Sequence, residues 1–348
     1  MRKVYLSVAL WIFCLGISRA QDAHFTQFEN SPFFTNPAAA GMIEQSDFRG
    51  SLITRNQWRK LVRPTNQTLV SADAPLLRYQ GGSRSKSNLG IGLSYGFATM
   101  GDSRTRMTNL ALALSGMTTV GTRKYLGIGV SAGKGGMRSD LTNATWDAQY
   151  NGYKLDESLP TGEAYEGRLK ARFFDLSAGL NFLSVNGRTG ATTNFGIAYL
   201  HANNPKLKNE PLLNGKIDPR IVAHFRSEIQ LDLKNTMPVF IIPRALVGMQ
   251  GVHMEIQAGA TVFWSAEGTS QITGYRHKTG FEAGGMYRHG DAVGLLAGWK
   301  TESYRIGLSY DISISAYGKA LNHRGGTEIS FIYYAVNKEM RSRKAIYD

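Results

Sequence analysis

The chain has 348 residues, of which 42% are hydrophobic and only 19% charged, and 40 Lys and Arg against 26 Asp and Glu give a net charge of +14. A mean hydropathy of −0.24 excludes a polytopic helical membrane protein, and the hydrophobic content excludes a charge-rich disordered chain. The charged fraction lies below the roughly 25% typical of soluble domains, which indicates that part of the surface does not face water.

The first 20 residues have the three parts of a signal peptide. Arg2 and Lys3 form a positive start, an apolar run follows from residue 4 to residue 17, and Ser18 and Ala20 are the small residues of a cleavage site. The apolar run is too short to cross a bilayer comfortably, although an N-terminal anchor is the alternative. We therefore expect residues 1–20 to be removed on export.

Export fixes the chemistry that remains available to the mature chain. Cleavage removes Cys14, the only cysteine, so we expect no disulfide, thiolate nucleophile or zinc–thiolate site. The mature chain keeps 37 basic and 26 acidic residues, a net charge of +11. This excess fits an anionic membrane surface or an acidic partner. Nucleic acid is not an expected partner, because an exported protein would rarely meet it.

Residues 21–46 are predicted to form a strap or plug before the main domain. Pro32 and Pro37 each fix φ and remove a backbone donor, and Pro37 favours an extended Asn36. The small residues 38–41 permit close packing. We expect the segment to lie across the wall or inside the lumen of the domain that follows, with an extended lead-in to the first strand as the equal alternative. Three aromatic anchors are candidates: Phe28, Phe33 and Phe34.

Alternation with a period of two recurs from residue 47 to residue 335, and helical periodicity is nearly absent. Residues 89–98 place every large apolar side chain on one face and only Gly, Ser or Ala on the other, and residues 304–314 alternate in a similar way. A soluble β-sandwich also alternates, but its second face carries charge. Strands of about ten residues, with Tyr and Trp on the apolar face, are typical of membrane-spanning strands. We therefore predict an all-β fold, an antiparallel transmembrane β-barrel of about 14 strands in the outer membrane.

The predicted strands are Phe48–Trp58, Asn66–Ala74, Asn88–Ala98, Met107–Thr118, Lys124–Lys134, Ala171–Ser184, Gly190–Leu200, Arg220–Leu233, Pro238–Gln250, His253–Trp264, Thr279–Arg288, Asp291–Lys300, Ser303–Ser315 and Gly326–Ala335. With both termini in the periplasm, connections after odd-numbered strands face outward and should be the longer ones. Connections 135–170 and 201–219 obey this rule. Connections 74–86 and 265–278 follow even-numbered strands and are long for periplasmic turns, which indicates either a miscount or structured periplasmic extensions.

Residues 336–348 lose the alternation and contain four Lys and Arg. We expect a short basic periplasmic tail, and a frayed end without function is the alternative.

Charged residues within the predicted strands constrain which way those strands face. A charge that faces lipid costs about 2–4 kcal/mol at mid-depth, so these residues must face the lumen or lie at an interface. An open pore would leave them solvated, whereas a plugged barrel would pair them, and both remain open at this point. The residues are Arg49, Arg55, Arg172, Arg226, Arg288, Arg305, Glu228, Glu255 and Glu282.

No motif predicts catalysis or metal binding. His224 and Ser227 are three positions apart on a strand and face opposite sides, so they cannot form a nucleophile–base pair locally. His253 and Glu255 share a face, but two ligands do not make a metal site, and we expect a hydrogen-bonded lumen pair instead. The acidic residues of the longest connection lack the spacing of a calcium loop. We predict no enzyme activity, no cofactor and no metal.

Short motifs near both ends of the mature chain resemble one family. Gln27-Phe28, Pro32 and the run from Asn36-Pro37 to Gly41 resemble the opening signature of the PorP/SprF family of type IX secretion system membrane proteins. Residues 55–58 resemble its RNQW segment, with Thr54 where an aromatic residue is often found, and residues 310–315 and 325–329 resemble its closing strands. The candidate signature or interaction residues are Gln27, Phe28, Pro32, Asn36, Pro37, Gly41, Arg55, Asn56, Gln57, Trp58, Tyr310, Asp311 and Glu328.

This resemblance implies a barrel in contact with outer-membrane lipid that assists type IX secretion, surface anchoring or gliding motility. It implies two kinds of protein partner: the periplasmic ring of the secretion machinery, and a secreted surface protein with a type-B C-terminal secretion domain. A passive outer-membrane porin is the main alternative function.

Overall fold

The structure is a computed structural model, and it describes residues 24–43, 46–57, 64–77, 87–101, 103–142, 144–163, 167–186, 191–208, 215–231, 238–266, 279–315 and 323–336. Antiparallel strands pair in chain order, and the last strand pairs with the first, so the sheet closes into a barrel. The strands are β1 Ser46–Gln57, β2 Thr65–Leu77, β3 Ser87–Met100, β4 Thr105–Gly121, β5 Lys124–Asp140, β6 Arg168–Val185, β7 Thr192–Leu200, β8 Arg220–Ser227 with its continuation Ile229–Gln230, β9 Val239–Gln250, β10 His253–Ser265, β11 Gly280–Arg288, β12 Ala292–Lys300, β13 Tyr304–Ser313 and β14 Arg324–Val336.

The all-β class and the barrel of 14 strands are confirmed, and several strand bounds differ from the sequence prediction. β5 and β6 extend beyond the predicted ends because their pairing continues to Asp140 and Arg168. β8 breaks at Glu228, whose backbone N donates to Thr192 O while its carboxylate accepts from Arg226 at 2.9 Å. The regular strand therefore ends at Ser227, short of the predicted end, and residues 232–237 lie outside the described residues.

The outer face of the barrel is apolar, as the alternation predicts. Leu93, Leu112 and Leu308 lie on this face and are 44% to 50% exposed in the isolated chain. Exposing so much apolar surface to water would cost about 25 cal/mol per Å², whereas lipid removes that cost. Tyr95 and Tyr199 lie on the same face and are both 44% exposed.

The two ends of the barrel are named here by their connections. The odd rim is the end at which β1 ends, and the terminal rim is the end at which β1 begins and β14 ends. The long connections 141–167 and 201–219 lie at the odd rim, next to tight turns such as residues 251–252. Because the predicted number of strands is confirmed, a miscount of strands does not explain the two long connections at the terminal rim. Residues 78–86 and 267–278 of those connections lie outside the described residues.

The lumen holds residues 24–43, called the strap from here on. Its secondary structure consists of single turns, namely 3-10 helices at Phe28–Asn30 and Pro37–Ala39 and helix α1 at Pro32–Thr35. The segment is therefore more compact than the extended lead-in that was the alternative from sequence, because Pro32 and Pro37 each begin a helical turn. A further 3-10 helix, Asp147–Gln149, lies in the longest connection.

Three predicted segments cannot be compared with the structure. The signal peptide at residues 1–20, Trp58, and residues 337–348 of the basic tail lie outside the described residues. Among the described residues, no helix is long and apolar enough to cross a membrane.

Candidate functional site in the barrel lumen

Asn36 fixes the middle of the strap to the wall. Its backbone is extended, as predicted for a residue before proline, and its Oδ1 accepts from Ala38 N at 3.0 Å, which caps the 3-10 helix at Pro37–Ala39. Its Nδ2 lies 2.8 Å from Leu180 O and 3.2 Å from His224 Nε2. Asn36 is fully buried, so its side-chain amide forms hydrogen bonds with the lumen wall rather than with water.

Small residues on both sides let the strap approach the wall closely. A Cβ added to Gly129 would lie 2.5 Å from Ala38 Cα, and one added to Gly90 would lie 2.2 Å from Ala40 O. Gly41 has a φ of +64°, a conformation that favours glycine. The run of small residues predicted to permit close packing therefore meets glycines of the barrel wall.

Gly41 is held at the terminal-rim end of the strap. Its backbone N donates to Asp73 Oδ2 at 2.8 Å, and Asp73 also accepts two hydrogen bonds from Arg49, at 2.8 and 2.7 Å. The ion pair is almost completely buried. This arrangement joins the end of the strap to β1 and β2 before the chain enters β1.

A four-residue ion cluster lies near the odd rim. Arg55 Nη2 donates to Asp311 Oδ2 at 2.6 Å and Arg55 Nη1 donates to Glu328 Oε2 at 3.2 Å, while Arg288 Nη2 donates to Asp311 at 2.7 Å. Two positive and two negative side chains therefore balance one another. Their side chains are between 0% and 6% exposed, so each charge depends on its partner rather than on water.

The start of the strap binds directly to this cluster. Glu328 accepts from the backbone N of Thr26 at 2.9 Å and from that of Gln27 at 2.8 Å. The Gln27 Oε1 atom accepts from Asn30 at 3.0 Å and from Ser330 at 2.8 Å. Two parts of the predicted signature that are 301 residues apart are thus in contact.

A second ion cluster holds the middle of the strap. Arg244 donates to Glu29 and to Glu282, and it also donates to Thr261 Oγ1 at 2.5 Å. Arg305 Nη2 donates to Glu282 Oε2 at 3.0 Å, so two arginines again face two glutamates. Sequence reasoning singled out Glu282 and Arg305 as strand charges but missed Glu29 and Arg244, because their partners come from distant segments.

Most of the charges predicted to face the lumen are paired, which is the arrangement expected of a plugged barrel. Arg172 is the exception, since its side chain is exposed on the outward side of β6 close to the odd rim. Glu255 accepts from Arg220 at 2.7 Å and from Gln257, and no hydrogen bond joins it to His253, so the predicted His253–Glu255 pair is wrong.

Apolar strap side chains pack against the lumen wall. Phe28 clusters with Val222, Leu246, Met286 and Leu296, which belong to four different strands. Phe33 packs against Ala40 and Ala113. A phenylalanine inside a barrel lumen is buried by these contacts, so the strap is held by apolar packing as well as by ion pairs.

For three of the predicted signature residues, the structure shows positions or contacts in the barrel wall. Asn56 donates to Asn66 on the neighbouring strand, and Tyr310 lies on the outer face with 44% of its surface exposed. Gln57 is buried at the end of β1, where a Cβ on Gly326 would lie 2.7 Å from its Cγ. Pro32 begins α1 and therefore acts through the strap's conformation.

The catalytic candidates of the sequence are not joined in the structure. His224 contacts Asn36, whereas Ser227 Oγ lies 2.7 Å from Thr193 Oγ1. Within the described residues, no group of three or more His, Cys, Asp or Glu could hold a metal ion.

A family model described as type IX secretion system membrane protein PorP/SprF matches residues 17–333. The chain belongs to the PorP/SprF family. PorP/SprF proteins are type IX secretion membrane components, and this PorP/SprF barrel with its apolar outer face is an outer-membrane protein. No curated protein gives a significant sequence match.

Several solved outer-membrane barrels are similar to this PorP/SprF chain at low identity. The translocator domain of the autotransporter NalP from Neisseria meningitidis is 10% identical, with a TM-score of 0.42 and coverage of 84% of this chain and 88% of that domain. BamA from Haemophilus ducreyi is 10% identical, with a TM-score of 0.41 and coverage of 84% and 71%. The transport unit of AIDA-I from Escherichia coli is 9% identical, with a TM-score of 0.35 and coverage of 89% and 95%. Because these identities and TM-scores are low, the barrel architecture rests on the strand pairing observed within this chain.

Proposed function

We propose that this PorP/SprF protein is a closed, non-catalytic component of the type IX secretion system that supports secretion or surface anchoring of a partner protein. The observation that carries the proposal is the filled lumen: both ends of the strap donate backbone hydrogen bonds to carboxylates of buried wall ion pairs, and Glu29 of the strap forms an ion pair with Arg244. A passive channel needs a water-filled lumen, whereas a protein that serves as an anchor or accessory does not.

The proposed partners follow from family membership. One is a secreted surface protein with a type-B C-terminal secretion domain, and the other is the periplasmic ring of the machinery. Gliding motility is the process that such a surface protein would serve in a motile cell. The signature residues act mainly within the chain in this proposal, because those that contact the strap hold it in the lumen.

Gene deletion with a surface-proteome readout tests this function. We expect deletion to remove one exported protein from the cell surface, and a neighbouring gene for a very large repetitive exported protein would identify the candidate. Complementation with the wild-type gene should restore display. Co-purification from detergent should then recover the same partner. Unchanged surface display, together with slower uptake of small solutes, would instead identify a porin.

A further inference from the structure

A cavity of about 170 Å³ lies between the strap and the odd-rim half of the wall. The strap contributes Phe25 and Phe34, whose rings meet edge to face at 6.4 Å, and these two side chains pack with Ile53 and Leu69 of the wall. Met107 also lines the cavity, close to the turn between β3 and β4. Lumens of outer-membrane barrels are typically polar, so an apolar chamber here needs an explanation beyond membrane insertion.

The opposite wall of the same cavity is polar. His201 Nδ1 lies 2.8 Å from Asp175 Oδ1, and Arg220 donates to Glu255 at 2.7 Å, and all four residues line the cavity. An apolar chamber with a few convergent polar groups is the usual composition of a small-ligand site. Because each of these charged side chains already has a partner in the wall, the ligand need carry no charge of its own.

His201 adds an independent observation. It has a φ of +54°, a conformation that is uncommon for residues other than glycine, and its side chain is only 8% exposed. Its backbone N donates to Ser177 Oγ at 3.3 Å. Backbone strain of this kind persists where the surroundings impose it, and it clusters at ligand-binding positions. The strain here places the imidazole beside the cavity next to Asp175.

We propose that this cavity binds one uncharged aromatic group with a hydrogen-bonding substituent, of the size of p-cresol. A dry cavity of about 150 Å³ lined by Leu, Ile and Phe side chains accepts benzene, which sets the scale for a single ring. The polar wall around His201 receives the substituent. Such a group arrives either as a free small molecule or as the side chain of a tyrosine in a polypeptide. This inference is independent of the proposed secretion role.

Binding of p-cresol to the full-length protein in detergent, measured by titration calorimetry, tests the site. Gly96 lines the cavity, and a Cβ added there would lie 3.7 Å from Leu69 Cδ1, an ordinary contact, so Gly96→Phe should fill the space. We expect at least a tenfold loss of affinity. The matched control is Gly116→Phe, which adds the same ring on the outer face and should bind p-cresol like the wild type.

A second variant covers the case in which Gly96→Phe does not fold. Ala98 also lines the cavity, and Ala98→Leu adds a smaller side chain, for which we expect a severalfold loss of affinity. His201→Asn keeps a residue type that tolerates positive φ, so it should fold and should lose the preference for p-cresol over toluene. Equal heats from the wild type and the filled variants would show that p-cresol only partitions into detergent, and this result would overturn the proposal. Absence of p-cresol binding to the wild type would overturn it as well.

A second titration distinguishes the two sources of the aromatic ring, a free small molecule and the side chain of a tyrosine in a polypeptide. A short uncharged peptide with one tyrosine should compete with p-cresol if a polypeptide side chain is the ligand. Binding of p-cresol without competition by the peptide assigns the site to a free small molecule. Both outcomes require a folded variant with a filled cavity, Gly96→Phe or Ala98→Leu, to have lost affinity for p-cresol.

Discussion

Arg55 on β1 and Glu328 on β14 are register partners at the seam that closes the barrel, and their side chains meet at 3.2 Å inside it. Glu328 also accepts from two backbone amides near the start of the strap, those of Thr26 and Gln27. Glu328 therefore links the seam between the last and first strands to the start of the strap. One carboxylate therefore contacts both the strand that completes the sheet and the segment that lies in the lumen.

Glu328→Ala should destabilise the barrel strongly. The change leaves Arg55 without one of its two carboxylate partners and leaves two strap amides without their acceptor. Breaking a buried ion pair by removing one partner costs about 3–5 kcal/mol. Denaturant unfolding in detergent, followed by tryptophan fluorescence, measures the change in the free energy of unfolding.

The control for this change is Glu157→Ala in the exposed part of the longest connection. A surface substitution there should stay within about 0.5 kcal/mol of the wild type. A similar free energy of unfolding for both variants would mean that the cluster does not stabilise the fold.

Gly129→Val should push the strap away from the wall. A Cβ at this position would lie 2.5 Å from two backbone atoms of Ala38, and backbone cannot move aside as a flexible side chain can. We expect faster cleavage within the strap by added protease, measured by mass spectrometry of the fragments. Gly116→Val, whose nearest neighbour is Leu89 Cδ2 at 3.9 Å, should leave the cleavage rate unchanged.

Leu112→Arg tests the assignment of the outer face to lipid. Leu112 is 44% exposed near the middle of β4, where an arginine should cost about 2–4 kcal/mol of folding free energy in a bilayer. Val120→Arg lies on the same face near the terminal rim, where the cost should fall to about 0–1 kcal/mol. Reversible unfolding from lipid vesicles compares the two variants, and equal costs would argue against a bilayer at mid-strand.

Asn36→Ala should cost about 1–3 kcal/mol, the penalty for leaving buried polar groups without a partner. The change removes the acceptor for Ala38 N and the donor to Leu180 O. The same unfolding assay in detergent measures it, with Asn56→Ala, at a signature residue on the outward side of β1, as the comparison. Equal effects of the two substitutions would show that the strap contact adds nothing.

The strands could be predicted because each of them meets lipid on one face and the lumen on the other. Neighbouring residues therefore differ in polarity and exposure. Leu308 is 50% exposed on the outer face, whereas Ser309 is 4% exposed on the lumen side. The closing residues Asp311 and Glu328 were found only through the family resemblance. Their geometry as partners of Arg55 depends on closure of the barrel, which no local pattern specifies.

The path of the strap through the lumen could not be predicted from the sequence either, because it also depends on contacts between distant segments. Pro37 and the small residues after it indicated close packing, but not which strands they would meet. Glu29 and Arg244 are 215 positions apart, and neither lies in a motif that marks it as a partner of the other. His253 and Glu255 illustrate the converse error, since residues two apart share a face without pairing. Arg220, which lies two strands away on β8, pairs with Glu255 instead.

The claim that the strap closes the lumen is tested most directly by single-channel conductance in planar bilayers. We compare the full chain with a variant that lacks residues 24–43, after checking that both fold by heat-dependent gel mobility. The wild type should show no steady large openings, and the deletion should produce them, because it removes the side chains that fill the lumen. Steady large openings of the wild type, unchanged by the deletion, would contradict the closed barrel.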